Sequence, residues 1–108
     1  MTRYARRRDN TQVEIAKALT AAGWETFDFS RVGFGMPDMI AKRAGFSLWI
    51  ECKTENESDL TPAETKFARI CPGDVIVATT GAQAVERAEM VYRHYQNSIK
   101  DFYGVKDQ

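Results

Sequence analysis

The sequence has little of what usually announces a function. Only two cysteines occur, Cys52 and Cys71. They are too few for a disulfide framework, and a reduced intracellular protein is the simpler reading. The single histidine, His94, gives neither cysteine the companions of a zinc site. It is expected on the last helix as a surface or packing residue. No apolar run approaches the roughly 18 residues of a membrane span. The basic start, Met-Thr-Arg-Tyr-Ala-Arg-Arg-Arg, is not followed by the apolar segment of a signal peptide. Net charge is also missing: 15 Lys and Arg balance 15 Asp and Glu, so bulk charge does not mark a nucleic-acid binder. Internal repeats and low-complexity segments are absent. The three prolines sit at element boundaries: Pro37 before a strand, Pro62 at the first position of a helix, Pro72 just beyond its end.

What is present fits one α/β domain over residues 1–108, with an apolar fraction of 44% for a modest core. Residues 1–9 read as a basic N-terminal arm and 99–108 as a polar C-terminal tail. Arg3, Arg6, Arg7 and Arg8 make that arm either a solvated tail or a grip on phosphates. A helix is expected from about Thr11 to Gly23, with Val13, Ile15, Ala16 and Leu19 as its apolar positions. Trp24 to Phe29 alternates large apolar with polar residues, as a half-buried strand does. Thr61-Pro62-Ala63-Glu64 is a capping-box helix start, and that helix carries Phe67, Ile70 and Cys71 inward. Val75-Ile76-Val77 is a continuous apolar strand. A last helix from about Ala82 to Ser98 places Val85, Ala88, Tyr92 and Tyr95 on one face. The order is helix, three strands, helix, strand, helix: a four-stranded mixed sheet flanked by helices, with a crossover that sets the last two strands parallel.

The informative stretch lies at Gly33–Lys53. Two strands meet at a tight turn, Ala44-Gly45, and the second alternates with period two. Phe46, Leu48, Ile50 and Cys52 form one face, suited to a core. Ser47, Trp49, Glu51 and Lys53 form the other. Thirteen residues separate Asp38 from Glu51, the spacing that returns Glu51 beside Asp38 across a short turn. Two carboxylates and a lysine at one place are what a hydrolytic Mg²⁺ site requires. With eight Glu and six Lys in 108 residues, chance alone gives about 0.4 Glu-x-Lys triplets. The strand context therefore carries the signal. The competing reading of Asp38, Glu51 and Lys53 is a cross-strand ion pair on a solvated sheet face, worth under about 1 kcal/mol. Glu14 has two readings that can hold together, a metal-site carboxylate and the capping box Thr11-x-x-Glu14. Trp49 either packs under the first helix or stacks on a base. Arg31 and Phe34 occupy the loop before Pro37, where they can reach DNA. Lys42, Arg6, Arg7 and Arg8 are further candidates for DNA contact. Acidic residues concentrate at Glu55, Glu57 and Asp59, where they would repel phosphates.

Gly35-Met36-Pro37-Asp38 followed by Glu51-Cys52-Lys53 resembles the signature of the PD-(D/E)XK nuclease superfamily. The match is closer to its VRR-NUC (virus-type replication-repair nuclease) branch, over about residues 10–90. Glu14, Leu60-Thr61-Pro62 and the Val75–Val77 strand fall where that branch has counterparts. The resemblance implies a restriction-endonuclease-like αβββαβ core and Mg²⁺- or Mn²⁺-dependent hydrolysis of DNA that leaves a 5′-phosphate. Structured or branched DNA, as in Holliday-junction resolution during replication, recombination or repair, is the expected substrate. It also implies a homodimer, with the apolar last helix as the contact, and a cytoplasmic location, the host cytoplasm for a viral source. Asp38 and Glu51 would be the metal carboxylates, with the Cys52 backbone carbonyl as a neutral ligand. Lys53 would orient the attacking water or offset charge on the phosphorus. The branch usually has a glutamine where this chain has Glu64. Glutamate there can pair with Lys53 or serve only as the capping box. The alternatives are a catalytically silent DNA-binding subunit of the same fold and a nuclease that acts on RNA.

Overall fold

Seven elements follow one another among the described residues: α1 (Arg3–Ala21), β1 (Glu25–Asp28), β2 (Met39–Arg43), β3 (Phe46–Cys52), α2 (Pro62–Ile70), β4 (Val75–Ala78) and α3 (Gly81–Tyr103). The computed structural model describes residues 3–54, 59–70 and 74–103, with side chains between residues 10 and 101 of those ranges. The strands form one sheet in the order β1-β2-β3-β4. β1–β2 and β2–β3 are antiparallel and β3–β4 is parallel. This is the mixed sheet and the αβββαβ order expected from the sequence. Among the described residues no helix is long and apolar enough to cross a membrane.

The β2–β3 hairpin sets the register on which the site depends. Ala44 and Gly45 both have positive φ, 47° and 81°, as a two-residue turn of type I′ requires. Arg43 then pairs with Phe46, and the ladder runs to Met39 opposite Ile50. One face of the sheet is covered by α1 and α3. Ile15 and Leu19 from α1, Ala84 and Ala88 from α3, and Met39, Ala41, Leu48, Ile50 and Cys52 from the sheet form a closed apolar core there. Gly23 ends α1 in a Schellman motif, with Gly23 N donating to Thr20 O at 3.1 Å and Trp24 N to Leu19 O at 2.9 Å. The buried Trp24 that follows packs edge-on against Phe46 and Tyr92. Arg43 lies over Trp24 at 4.2 Å and pairs with Glu89 of α3 at 2.7 Å, which ties the hairpin turn to the last helix.

Several boundaries differ from the sequence expectation. α1 begins at Arg3, not near Thr11, so residues 3–9 extend the helix backbone rather than precede it as an arm. The side chains of Arg6, Arg7 and Arg8 lie outside the described residues. Thr11 is thus mid-helix, and Thr11-x-x-Glu14 is not a capping box. Val13 is exposed while Ile15 and Leu19 are buried, because α1 meets the sheet along the i, i+4 line through those two residues. α3 continues to Tyr103, into the stretch read as a polar tail. Ile70 is 72% exposed, and no residue of α2 is fully buried: α2 covers the sheet loosely. Cys71, Glu55 and Glu57 lie outside the described residues.

Candidate active site

The second face of the sheet, towards α2, gathers the charged residues. Asp38 enters β2, and Glu51 and Lys53 stand at the end of β3 with their side chains on the same face, since residues two apart in a strand point the same way. All three are withdrawn from water: Asp38 is 7% exposed, Glu51 1% and Lys53 2%. A solvated surface ion pair does not describe this arrangement. Extending the β2–β3 register one step past Met39↔Ile50 places Asp38 opposite Glu51. One step further the ladder meets Pro37, which has no N–H to give. There the Asp38 carboxylate takes over: its Oδ2 accepts from the Cys52 amide at 2.7 Å. The Pro-Asp pair therefore stops the ladder and fixes the acid beside the β3 backbone. The Cys52 side chain is buried in the opposite, apolar face.

Lys53 Nζ is 3.6 Å from Glu51 Oε1 and 2.7 Å from Glu64 Oε1. Glu64 is the residue that sequence reasoning left out of the candidate site. Its Oε1 accepts from Lys53 Nζ and from the Thr61 amide at 2.8 Å, and its own amide donates to the Thr61 hydroxyl oxygen at 3.2 Å. Glu64 pairs with Lys53 and is not confined to the capping box. One carboxylate closes the capping box of α2 and holds the lysine. The signal was present in the sequence: the capping box fixes Glu64 on the first turn of the helix that covers Glu51 and Lys53.

The site is crowded with negative charge. Burial pushes the Glu51 carboxyl up to about 9, reinforced by its hydrogen bond to Glu64 and by the nearby Asp38 and Glu64 charges; Lys53 opposes this. Burial would raise Glu64 as well. The hydrogen bonds from Glu51, Lys53 and the Thr61 amide outweigh it and bring Glu64 down to about 2. Three buried or half-buried carboxyls thus face one lysine, and the Glu51–Glu64 pair retains a proton. Hard oxygen donors with surplus negative charge, withdrawn from water, suit a divalent cation such as Mg²⁺ or Mn²⁺, which takes one or two carboxylates and fills its other positions with water and phosphate oxygens. Among the described residues no group of three or more His, Cys, Asp or Glu side chains forms a ready-made cage.

The Glu14 carboxylate accepts from the Gly81 amide at 2.5 Å, so it sits at the N-terminus of α3, where a negative charge suits the helix dipole. Trp49 packs edge-on between Phe29, at 5.6 Å, and Phe67 of α2, at 5.5 Å, rather than under α1. Lys42 is exposed near the turn end of β2, on the face of Asp38 but at the other end of the strand. Arg31 and Phe34 are exposed in the β1–β2 loop.

No family model matches the chain, and no curated protein matches it. Among solved structures, a chain described as a VRR_NUC domain is similar, at 20% sequence identity and a TM-score of 0.60, over 77% of this chain and 95% of that one. The likeness is one of fold. It agrees with the αβββαβ order of the elements.

Proposed function

We propose that the chain is a divalent-metal-dependent nuclease, a hydrolase of DNA phosphodiester bonds that acts at the Asp38–Glu51–Lys53 site. The observation that carries the reading is the burial of Asp38, Glu51 and Lys53 on one face at the end of a hairpin. A structural role alone does not explain a cluster whose carboxylates disfavour each other's charge. Asp38, Glu51 and the Cys52 backbone carbonyl are the proposed ligands of Mg²⁺ or Mn²⁺. The cation would supply charge for the scissile phosphate and a more acidic water.

The chain's own residues do the rest. Asp38 is oriented by the Cys52 amide. Glu51 would hold the cation as the carboxylate, its proton released to solvent water, because a carboxylate must be ionised to coordinate. Lys53, held by Glu64, directs its ammonium at the reacting phosphate, either orienting the water or offsetting charge on the phosphorus. Glu14 is assigned to α3 rather than to the ligands. Arg31, in the loop before Asp38, is a proposed phosphate contact near the site, and Lys42, at the turn end of β2, one farther along the DNA. A homodimer is carried as part of this reading, and sedimentation at micromolar concentration tests it.

The test is cleavage of linear, nicked, flapped and four-way DNA, with a matched RNA duplex, in Mg²⁺ and in Mn²⁺. Wild type is expected to cut DNA and Glu51→Ala to leave it intact. Equal background from the two proteins on every substrate overturns the reading. Faster cutting of the RNA duplex moves the activity to RNA.

A further inference from the structure

Phe34 is the most exposed large apolar residue described, at 97%, and it contributes no burial to the fold. It is also strained. Its φ is 60°, with Gly33 at 78° and Gly35 at 76° on either side. A left-handed backbone disfavours any residue with a Cβ, and a bulky aromatic is uncommon there. Glycine or asparagine would fit this position at lower cost.

The loop around it is fixed. At its start, Asp28 Oδ1 accepts from the Ser30 amide at 2.8 Å, the Ser30 hydroxyl at 2.6 Å and Gln12 Nε2 at 2.9 Å. The Phe29 amide donates to Asp38 O at 2.8 Å, and the Phe29 ring packs on Trp49. Val32 N donates to Phe29 O at 3.0 Å and Met36 N to Gly33 O at 3.1 Å. Gly35 lies against α2 so closely that a Cβ there would be 2.5 Å from Ala63 O. Ala63 directly precedes Glu64, the residue that holds Lys53. Phe34 is therefore an aromatic ring presented to solvent by a preorganised loop, next to the charged pocket at both the Asp38 and the Glu64 end. Four residues of chain span at most about 14 Å, which keeps Phe34 within a few nucleotide steps of Asp38.

We propose that Phe34 is a stacking residue for an unpaired nucleobase beside the scissile phosphate, so that the preferred substrate is DNA with a single-stranded or distorted segment. This rests on the nuclease reading for its placement beside a scissile bond. A paired, stacked base hides its faces, whereas an unpaired base offers one, and an aromatic side chain takes any of the four bases. The backbone that carries the ring is already held in place, so only the side-chain rotamer is left to order on binding. The exposed Arg31 in the same loop supplies a charge for the adjacent phosphate.

The experiment uses the full chain in Ca²⁺ with two DNAs of equal length that carry 2-aminopurine, one fully paired and one with a short gap at the probe. Wild type is expected to bind the gapped DNA more tightly and to quench the probe. Phe34→Ala should lose about tenfold in affinity for the gapped DNA and the quenching with it, with little change on the paired DNA. Phe34→Trp should restore both, and Phe34→Gly should weaken gapped binding while keeping or raising the melting temperature. Equal losses on both DNAs, no loss on either, or dissociation of a dimer by Phe34→Ala overturns the proposal. Cleavage of the same DNAs by wild type and Glu51→Ala is scored separately. Absent cleavage with intact quenching rejects the nuclease reading alone, and cleavage with no Phe34 dependence rejects the stacking role alone.

Discussion

The two faces of one sheet obey different rules. Towards α1 and α3, Leu48, Ile50, Met39 and Cys52 meet Ile15, Leu19, Ala84 and Ala88 in a dry apolar layer. Its nearby ion pair, Arg43–Glu89, is partly open to water and ties elements together. Towards α2 the same strands carry Asp38, Glu51 and Lys53, nearly as deeply buried as the core, under a helix with no fully buried residue. The first face lowers free energy by removing apolar surface from water. The second withdraws charges whose like-sign neighbours raise free energy, an arrangement that tends to mark functional sites. Alternation along β3 allows this: each step of one residue moves from stabilising the fold to serving the proposed chemistry.

The sharpest way to break this contrast is to change one residue on each face. Glu51→Gln should reduce metal-dependent cleavage by about 10³-fold or more and raise the melting temperature near neutral pH, because the amide stands in for the protonated carboxyl of the folded state and removes the cost of taking up that proton on folding. Leu48→Ala, three residues away on the other face, should do the reverse. It should cost about 3 kcal/mol and lower the melting temperature by about 15 °C, with cleavage retained wherever the protein stays folded. Cleavage at permissive temperature and thermal unfolding by circular dichroism check both.

An intermediate effect is expected at Glu64, which serves both roles. Glu64→Gln keeps an acceptor for Lys53 and for the Thr61 amide. Glu64→Ala removes both and should lose about tenfold in kcat and about 1 kcal/mol of stability through the lost cap. A kcat for Glu64→Ala equal to that of Glu64→Gln would separate Glu64 from the lysine.

The pH dependence of stability sharpens the contrast further. Glu51 titrates at about 9 in the folded state, so above its unfolded value the folded chain binds more protons than the unfolded one. Stability of the metal-free protein should therefore fall as pH rises from about 5 towards 9. Glu64, brought down to about 2, contributes in the opposite direction: stability is lost as pH falls from about 4.5 towards 2. Glu51→Gln should flatten the upper limb only, read by urea unfolding across that range. The smallest effect is expected at Val13, exposed on α1, where Val13→Ser should change stability by no more than about 0.5 kcal/mol.

The sequence made the sheet and the site legible where local rules and burial agreed. Ala44-Gly45 implied a tight turn, the turn implied the register, and the register brought Asp38 to Glu51. Alternation in Phe46–Cys52 separated the two faces correctly. It was less informative where a local rule competed with tertiary packing. Thr11-x-x-Glu14 has the form of a helix start, yet α1 continues through it, and Glu14 bonds to the amide of a helix that begins 67 residues later. Val13 and Ile15 are equally apolar, and only the docking direction of α1 decides which is buried. Trp49 belonged to the right face, but the partner helix was α2, because α1 lies on the other side of the sheet. Glu64 was read as a choice between two roles that one carboxylate fills together.

The account stands most directly on a crystal of the wild-type protein grown in Mn²⁺ and measured at the manganese absorption edge. It predicts an anomalous peak between the Asp38 and Glu51 carboxylates, within about 2.0–2.4 Å of an oxygen of each, and no such peak in Glu51→Ala. Well-ordered Asp38, Glu51 and Lys53 side chains with no manganese between them at saturating concentration would contradict it.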